Sequence, residues 1–377
     1  MLGGKAVGNA LIVGGGLSGL SAALSLARHG VFVQVIDNAR TWPVTGAGLT
    51  LGAATLRALQ QLGVLEQVMR RGHTHEGIQV CDVMGRPLRF IASPPLVDAQ
   101  VPGAGGILRS VLHDILIQQA GQEGIGLQLG LGVNHLEMMA DTVQVHLSDG
   151  DVQHWDLVIA ADGLSSQHRA SYFPEAQPAR FTGQGCWRVV LPRPAAITNR
   201  HFFLGGRCKL GLTPVSQDQM YLFLLEHVPE NPWRDPQTQH LILRDLLADY
   251  GGPLVQIRGD LGPESGIVYR PLESHYLGQV WHSDRLILIG DAAHATTPQL
   301  AAGAGMGIED GLVLGQELGR SQTLQQALQA FMRRRHERCS MVVNNSLRIG
   351  ELEVEGASPE AQTALVNTSL GLLAEPI

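Results

Sequence analysis

Three glycines and one aspartate near the start of the chain have the spacing of a dinucleotide site. Gly14, Gly16 and Gly19 follow a short apolar run, and Asp37 stands 18 residues beyond the last of them. In this pattern the first glycine turns the chain, the second lets the backbone approach a pyrophosphate, and the third lets a helix pack closely on a sheet. An acid at the end of the next strand can accept hydrogen bonds from an adenosine ribose. These residues therefore predict a site for a pyrophosphate and its ribose.

The same stretch contains the elements that must position these residues. The apolar run before Gly14 predicts a buried strand, and residues 17–28 have the apolar spacing of a helix that begins with Leu17 and Ser18. The first N–H groups of such a helix face the pyrophosphate. Because residues 6–27 carry no charge, a signal peptide or a membrane span is an alternative. Three consecutive glycines and the lack of a basic cluster before the apolar run argue against both.

Length, charge and cysteine content exclude several classes of protein. The 377 residues are enough for two or three domains. With 27 basic and 34 acidic residues, the net charge of −7 gives no general attraction to nucleic acid or anionic lipid. The four cysteines lack the paired spacing of a zinc site or a disulfide framework and suit reduced thiols in a cytoplasm. We therefore expect a cytoplasmic protein that binds neither nucleic acid nor membrane and holds no metal.

Downstream of this stretch, the hydrophobic pattern predicts a mixture of strands and helices. Two short apolar runs, 156–161 and 285–289, indicate buried strands, and each is followed at once by an aspartate beside a glycine. The only basic run, residues 333–338, is typical of a solvated or salt-bridged helix face. The other predicted elements are strands over 77–91, a breaker-rich loop over 93–106, a helix over 108–124, mostly strands over 127–160, an antiparallel sheet over 180–227 and 254–271 with a helix over 239–250 between them, and helices over 304–373.

Three motifs follow one another along the chain and together resemble one enzyme family. They are Gly14-x-Gly16-x-x-Gly19, Asp162-Gly163-Leu-Ser-Ser166-Gln-His-Arg169 and Gly290-Asp291-Ala-Ala-His294-Ala-Thr-Thr-Pro298. The ordered set is similar to that of the single-component flavin-dependent aromatic hydroxylases, which include the para-hydroxybenzoate, salicylate, urate and pyridinecarboxylate hydroxylases. Because the set spans most of the chain, the resemblance is specific.

The resemblance implies an α/β fold of three parts. A Rossmann-like, discontinuous FAD-binding domain would be joined by an inserted antiparallel-sheet substrate domain and by C-terminal helices. These helices could cover the active site or form a dimer surface, so a monomer and a homodimer both stay open. The expected boundaries are residues 1–76, 100–175 and 276–321 for the FAD-binding domain, 77–99 and 176–275 for the substrate domain, and 322–377 for the helical region.

The resemblance also assigns residues to the FAD. Arg109 matches the family's arginine near the flavin phosphates, where a fixed planar cation suits a diphosphate. Asp162 and Gly163 belong to a motif associated with both FAD and nicotinamide binding, and Asp291 would accept hydrogen bonds from the ribityl chain. The residues that would hold the pyrophosphate and the ribose are Gly14, Gly16, Leu17, Ser18, Gly19 and Asp37.

A glycine-rich segment after Pro298 has a physical interpretation of its own. Gly303, Ala304 and Gly305 open a predicted helix whose positive end would face the flavin. There it would stabilise the negative charge that reduction places on the pyrimidine ring of the flavin. Many family members have Gly-Gln-Gly in this segment, followed two residues on by Asn. This chain has Ala301, Ala302 and Gly303 at the first three positions and Gly305 in place of the Asn. The alternative is a flexible glycine loop.

The resemblance places the substrate under the antiparallel sheet. Lys209 and Tyr221 fall where the urate and pyridinecarboxylate hydroxylases set an arginine and a tyrosine against the substrate. Lys209 would pair with a carboxylate or phenolate and Tyr221 would bond a ring substituent, although both could be ordinary strand residues. In the third motif, Pro298 ends the loop, and His294 is either a proton relay or a residue that fills the loop. Arg188 lies on a predicted strand and could face the pocket or solvent.

The activity that the resemblance implies is that of a monooxygenase. NADH or NADPH would reduce FAD, molecular oxygen would add to give a flavin hydroperoxide, and its terminal oxygen would attack a small aromatic or heteroaromatic substrate. The protein would position the ring and exclude water. The alternatives are a flavoprotein reductase or halogenase on the same scaffold, or a non-catalytic FAD-binding redox protein. The sequence lacks the Trp-x-Trp-x-Ile-Pro signature of the halogenases.

Overall fold

The computed structural model of the chain describes residues 6–42, 47–96, 100–278 and 280–377. The parts of the predicted domains at residues 1–5, 43–46, 97–99 and 279 lie outside this description. The strands are β1 Asn9–Val13, β2 Phe32–Asp37, β3 Gly48–Gly52, β4 His73–His75, β5 Gly77–Asp82, β6 Pro87–Ala92, β7 Ala104–Leu108, β8 Gly126–Leu129, β9 Val133–Met138, β10 Val143–Leu147, β11 Val152–Trp155, β12 Leu157–Ala160, β13 Arg180–Pro192, β14 Arg200–Leu204, β15 Lys209–Pro214, β16 Gln219–His227, β17 Val268–Ser274, β18 His282–Ser283 and β19 Leu286–Leu288. The helices are α1 Leu17–Arg28, α2 Ala53–Gln61, α3 Leu65–Arg71, α4 Arg109–Gln122, α5 Gln167–Tyr172, α6 Gln239–Leu246, α7 Pro253–Asp260, α8 Asp291–His294, α9 Gly303–Arg320, α10 Leu324–Val354 and α11 Pro359–Ala374.

The three sequence motifs meet at one edge of a six-stranded sheet with the order β18-β19-β12-β1-β2-β8. Strands β19, β12, β1, β2 and β8 run parallel, while β18 pairs antiparallel with β19. Strands β12 and β19 are apolar and fully buried, as expected for parallel strands whose two faces are covered. The carboxyl ends of β1, β12 and β19 lead within two residues to Gly14, Asp162 and Gly290.

Helices α1 and α9 pack against each other in close contact. A Cβ at Gly311 would overlap the backbone of Ala22, and one at Gly315 would overlap the side chain of Ser25. The Ser25 hydroxyl donates a 2.9 Å hydrogen bond to the carbonyl of Leu312. The glycines in the middle of α9 therefore permit the close approach of the two helices, which fixes the third motif against the first.

A second sheet of seven strands has the order β17-β13-β16-β15-β14-β5-β6. Its pairs are antiparallel except for β5 with β14, which run parallel. One face of this sheet packs on α6 and α7 through a hydrophobic cluster that includes Trp187, Leu224 and Leu254. The predicted antiparallel sheet over 180–227 is therefore confirmed.

The predicted strand over 254–271 is wrong in its first part, because Pro253–Asp260 is α7. Proline suits the first turn of a helix, where its missing N–H has no intrahelical partner to lose. Gly252 before it has φ +60°, a conformation that glycine adopts without strain. Leu254 and Ile257 stand three positions apart and both face the core, which is a helical rather than a strand spacing.

A three-stranded sheet, β3-β7-β4, contacts the seven-stranded sheet through β7 and β15. The predicted breaker-rich loop over 93–106 is wrong at its C-terminal end, where Ala104–Leu108 forms β7. A Cβ at Gly106 would overlap the carbonyl of Pro214. This glycine therefore permits two backbones to approach closely within a sheet, a role that looks like a loop signal in the sequence.

The helices predicted over 304–373 are confirmed as α9, α10 and α11. Helix α10 has 31 residues and begins after Thr323, whose side chain accepts a hydrogen bond from the N–H of Gln326. It contacts α8 and α9, which follow the six-stranded sheet in the chain, and also β13 of the seven-stranded sheet. No helix within the described residues is long and apolar enough to cross a membrane.

Candidate active site

A small open cavity lies where the first motif was predicted to bind a dinucleotide. Asp37 Oδ2 accepts a 2.8 Å hydrogen bond from the N–H of Gly15, and its Oδ1 accepts one of 2.9 Å from the N–H of Ala39. The Arg109 side chain is exposed and makes neither an ion pair nor a hydrogen bond with any described residue. The lining residues are Gly15, Gly16, Leu17, Asp37, Trp42, Arg109, Ser110 and His113.

The three glycines of the first motif differ in what surrounds them. Gly14 has φ +108°, and a Cβ there would overlap the carbonyl of Ala161. A Cβ at Gly19 would overlap the carbonyl of Gly14, so both of these glycines serve the packing of the chain itself. Around Gly16 no described atom lies within 4 Å of the Cβ position. The backbone of Gly16, at the N-terminus of α1, is thus the one of the three that is open to a ligand.

The second motif is ordered by Asp162. Its Oδ2 accepts a 2.8 Å hydrogen bond from the ring of His168 and a 3.1 Å bond from the N–H of Gln167. Burial is the largest influence and would raise the pKa of this carboxyl, but the bond and charge of His168 together with bonds from Ser166 and the backbone hold the pKa below its usual value. Its Oδ1 is buried and has no partner among the described residues. Gly163 follows with φ +79°, which glycine tolerates.

The third motif reaches the first through Ser18. A Cβ at Gly290 or at Gly307 would overlap the hydroxyl group of Ser18, so the three residues are in close contact. Asp291 begins α8 and its side chain is exposed. Pro298 begins a short 3-10 turn over Pro298–Leu300.

Helix α9 begins at Gly303, as predicted, and Ala304 and Gly305 complete its start. A Cβ at Gly305 would overlap the hydroxyl of Thr55, so this glycine packs on α2. Ala301 before the helix has φ +53°, an uncommon conformation for alanine. The glycines therefore bring the helix start close to α2 rather than form a flexible loop.

His294 belongs to a group of four fully buried charged side chains, His294, Glu309, Asp310 and Arg335, which we term the buried network. His294 Nε2 donates to Asp310 Oδ2 at 2.5 Å, and Arg335 donates to Asp310 Oδ1 at 2.7 Å and to Glu309 Oε2 at 2.6 Å. Burial would lower the pKa of His294, but the Asp310 carboxylate raises it well above its ordinary value. Despite burial, His294 and Arg335 hold the pKa of Asp310 far below its usual value. This position favours the loop-filling interpretation of His294 over a proton relay.

Three side chains near this network have the composition of a metal site. Ligand atoms of His294, Asp310 and Cys339 lie within 4.8 Å of one another. The guanidinium of Arg335, however, stands 3.4 Å from the sulfur of Cys339 and 2.7 Å from Asp310 Oδ1. A cation of the chain itself therefore occupies the position that a metal ion would need.

One face of the seven-stranded sheet is turned toward the loop after Pro298, and we term it the pocket face. On β13 the side chains alternate, so that Trp187 packs toward α6 and α7 while its neighbours Cys186 and Arg188 point the other way. The cross-strand register places the other members on the same side. The pocket face comprises Gln184, Cys186, Arg188, Val190, Arg200, Phe202, Lys209, Thr213, Tyr221 and Phe223.

The two predicted substrate residues both lie on the pocket face, but each has a partner within the chain. The Lys209 ammonium is 2.5 Å from Glu353 Oε1, on the last turn of α10. Tyr221 shares a 3.0 Å hydrogen bond with the hydroxyl of Thr50, and its ring packs on Gly48. A carboxylate of the C-terminal helix therefore meets Lys209 within the chain, and the predicted pairing of Lys209 with a substrate carboxylate or phenolate stays a prediction.

The sequence did not point to Glu353, Gln299 or Arg200. Glu353 is 144 positions from Lys209, so its place was visible in no local pattern. Gln299 follows Pro298, and its amide donates to Gln184 at 3.0 Å and to Glu353 at 3.3 Å. The guanidinium of Arg200 lies 4.4 Å from the centre of the Phe202 ring and forms no ion pair or hydrogen bond with a described residue.

Comparisons with known proteins agree with this geometry. Residues 8–346 match the family described as FAD binding domain. YetM of Bacillus subtilis is 32% identical over 348 residues, which cover 92% of this chain and 94% of that protein. The 2-heptyl-3-hydroxy-4(1H)-quinolone synthase of Pseudomonas aeruginosa is 30% identical over 349 residues, which cover 91% of this chain and 88% of the synthase. The crystal structure of Klebsiella pneumoniae HpxO complexed with FAD and uric acid is similar, with a TM-score of 0.84 over 98% of this chain and 93% of HpxO, and the two sequences are 23% identical. This similarity confirms the predicted α/β fold class.

Proposed function

The chain belongs to the FAD-binding domain family and is an FAD-dependent monooxygenase, and on this basis we propose that it consumes NADH or NADPH and hydroxylates a small aromatic or heteroaromatic ring. The related quinolone synthase is named for a hydroxylated nitrogen heterocycle, and HpxO was crystallised with uric acid. Both names support a heteroaromatic ring as the substrate. We also propose the domain boundaries expected from the sequence: residues 1–76, 100–175 and 276–321 for the FAD-binding domain, 77–99 and 176–275 for the substrate domain, and 322–377 for the helical region.

The residues around the first cavity fit FAD. The open backbone of Gly16 at the start of α1 would receive the pyrophosphate, Asp37 the ribose, and the unpaired Arg109 a phosphate. Asp162 has one oxygen without a described partner, and Asp291 is exposed, so both can accept hydrogen bonds from the rest of the cofactor. Bound FAD, reduced by NADH or NADPH, supplies the activation of molecular oxygen that amino-acid side chains cannot provide.

One contact carries the assignment of the substrate site. The amide of Gln299, in the turn that begins at Pro298, bonds to Gln184 of the pocket face at 3.0 Å. The loop expected beside the flavin and the sheet expected above the substrate therefore meet directly. Phe202 and Phe223 lie on the same face with their ring centres 5.5 Å apart. Of the two, Phe202 is half-buried, and its ring together with the Arg200 guanidinium offers a surface against which a substrate ring can pack while water is excluded.

The test of this function is the consumption of NADH and NADPH by the FAD-loaded protein in air. The panel consists of hydroxylated benzoates, pyridinecarboxylates, quinolones and purines, with the mass of the product measured in parallel. We expect at least one compound to stimulate consumption and to gain one oxygen atom. Consumption that yields only hydrogen peroxide with every compound, or no consumption at all, would contradict the proposal.

A matched pair of glycine variants tests the FAD assignment separately. Gly16 has ordinary φ and ψ, and free space surrounds its Cβ position, so Gly16→Leu should fold while its side chain blocks the pyrophosphate. We expect its bound FAD to fall by about tenfold or more, measured as flavin absorbance per protein. Gly121→Leu, also in free space but on the exposed part of α4, should keep its FAD. Full flavin content in Gly16→Leu would show that the assignment is wrong.

A further inference from the structure

We propose that Glu353 determines substrate specificity, so that the pocket selects an uncharged ring bearing an O–H or N–H donor over a ring bearing a carboxylate. This inference rests on the proposed function, because it describes the substrate of the same site. It concerns the end of the pocket face where Lys209, Gln299 and Glu353 meet.

Glu353 reaches this end from outside the sheet. It lies on the last turn of α10, and its side chain is only 9% exposed. Oε1 receives the Lys209 ammonium at 2.5 Å, and Oε2 receives the Gln299 amide at 3.3 Å. The carboxylate thus bridges the pocket face and the turn that begins at Pro298, and it stands beside the loop that is expected next to the flavin.

At this end Glu353 balances the charge of Lys209, while the Arg200 guanidinium, near the same Phe202 ring, has no ion-pair partner among the described residues. A free lysine would attract the carboxylate of an aromatic acid, but Glu353 neutralises it within the chain. A second carboxylate would come close to that of Glu353, and like charges repel most strongly where water is scarce. An uncharged ring avoids this repulsion and adds no charge that the site must desolvate.

The carboxylate of Glu353 still has acceptor positions that no described residue uses. Two carboxylate oxygens offer about four lone-pair positions, and Lys209 and Gln299 use two of them. A hydroxyl or ring N–H of the substrate can donate to a remaining position, and a bond to a charged acceptor is stronger than one between neutral groups. The Phe202 ring, 5.8 Å from the Lys209 nitrogen, supplies an apolar surface beside this acceptor.

The test compares binding of two pairs of probes that differ in one carboxylate. The pairs are 4-hydroxyquinoline with its 2-carboxylate, and salicylamide with salicylate. Dissociation constants are measured with the oxidised, FAD-loaded protein from the change in flavin absorbance, without NADH, NADPH or turnover. We expect the wild-type protein to bind the uncharged member of a pair about tenfold more tightly or better.

Two variants isolate the carboxylate of Glu353. Glu353→Gln keeps the shape of the side chain but frees the charge of Lys209, so the preference for the uncharged probe should fall by about tenfold or reverse. Glu351→Gln is the matched control, since Glu351 lies on the same helix, is half exposed and pairs with Arg348 outside the pocket. It should leave the preference unchanged, and Glu353→Asp should restore part of it.

Several results would overturn the proposal. They are a wild-type preference for the carboxylate probes, failure of both uncharged probes to bind, and an unchanged preference in Glu353→Gln. If Glu353→Gln lowers only the melting temperature, the residue has a merely structural role. Selective binding without hydroxylation of any panel compound would contradict the proposed function while supporting the role of Glu353, so the two failures are distinguishable.

Discussion

Two clusters of charged side chains hold helix α10, and they differ in access to solvent: the buried network joins it to α8 and α9, and the pair of Lys209 with Glu353 joins it to β15. In the buried network, the side chains of Arg335, Glu309 and Asp310 are 0% exposed. In the pair of Lys209 with Glu353, the two side chains are 25% and 9% exposed. The same chemistry therefore fixes the fold where it is sealed and can meet a ligand where it borders the pocket face.

The energetics of the two clusters should differ accordingly. Removing one member of a sealed ion pair leaves a charge with no partner and no water, whereas a partly open pair can recruit solvent. Mutations in the buried network should thus act mainly on stability, and mutations in the Lys209 pair mainly on ligand binding. Four experiments can break or sharpen this contrast.

The largest effect is expected for Arg335→Met. The loss of this guanidinium removes bonds to Asp310 and Glu309, both buried, and should lower the free energy of unfolding by about 3–5 kcal/mol. Urea denaturation measures the change. Arg348→Met on the exposed side of the same helix is the control, with an expected change within about 0.5 kcal/mol. Equal effects of the two variants would remove the distinction between a sealed and an exposed pair.

For Lys209→Gln we expect a small loss of stability and a large loss of activity, the opposite of Arg335→Met. Its stability loss should stay near about 1 kcal/mol, because the pair is partly solvated. For a substrate identified in the panel, kcat/KM should fall by about tenfold or more, since the charge balance around Glu353 is lost. Steady-state kinetics and urea denaturation on the same preparation separate the two quantities. A large stability loss with unchanged kinetics would make the Lys209 pair structural.

The pH dependence of stability should come from buried histidines, since burial lowers the pKa of both His75 and His275 to about 4. Burial and the nearby charge of Arg200 lower the pKa of His75 to about 4. Between about pH 6.5 and pH 4 the unfolded chain therefore binds a proton that the folded chain refuses, so stability falls as pH falls, by about 1.4 kcal/mol per pH unit for this group.

His294 has the opposite sign. Its raised pKa contributes stability that is complete below about pH 6.5 and is lost only as pH rises through the raised value. The buried network should thus keep its charge over the range in which His75 titrates. Urea denaturation at pH 7 and pH 5 measures the slope, and His75→Gln should reduce it. An unchanged slope in this variant would mean that His75 is protonated when folded.

The smallest effect is expected for Glu351→Gln. The pair of Glu351 with Arg348 is about half exposed, so its loss should change the free energy of unfolding by less than about 0.5 kcal/mol. Thermal unfolding followed by circular dichroism is sensitive enough to set this limit. A larger change would show that position along α10, and not burial, decides how much a charged pair contributes.

The cofactor end of the molecule was predictable because local backbone signals define it. Gly14 and Gly19 are needed for turns and close packing within the motif itself, and the parallel strands appear as continuous apolar runs. A residue whose role depends on a distant contact was predicted wrongly: Gly106 was assigned to a loop, although it permits two strands to approach each other closely. Of the two alternatives predicted for residues 333–338, the salt-bridged face is the one present, since Arg334, Arg335 and Arg338 all pair with acids of α9.

The substrate end was less predictable because side chains from distant parts of the chain compose it. The resemblance named Lys209 and Tyr221, and the observed register of β15 with β16 places both on one sheet face. Their partners did not follow, since Glu353 lies 144 positions from Lys209 and Thr50 lies 171 positions from Tyr221. No periodicity within an element reports such a pairing.

Helix α10 also fixes the distance between the buried network and the carboxylate of Glu353. Arg335 and Glu353 lie on one uninterrupted helix, 18 positions apart, which corresponds to about 27 Å along its axis. The buried network anchors one end, so the helix works as a rigid spacer that determines both the depth and the rotation at which the carboxylate enters the pocket. Inserting one residue between these positions would turn Glu353 by about 100° and remove it from Lys209 while both anchoring acids kept their partner. The selectivity of the pocket would then depend on the number of residues in a helix that lies mostly outside it.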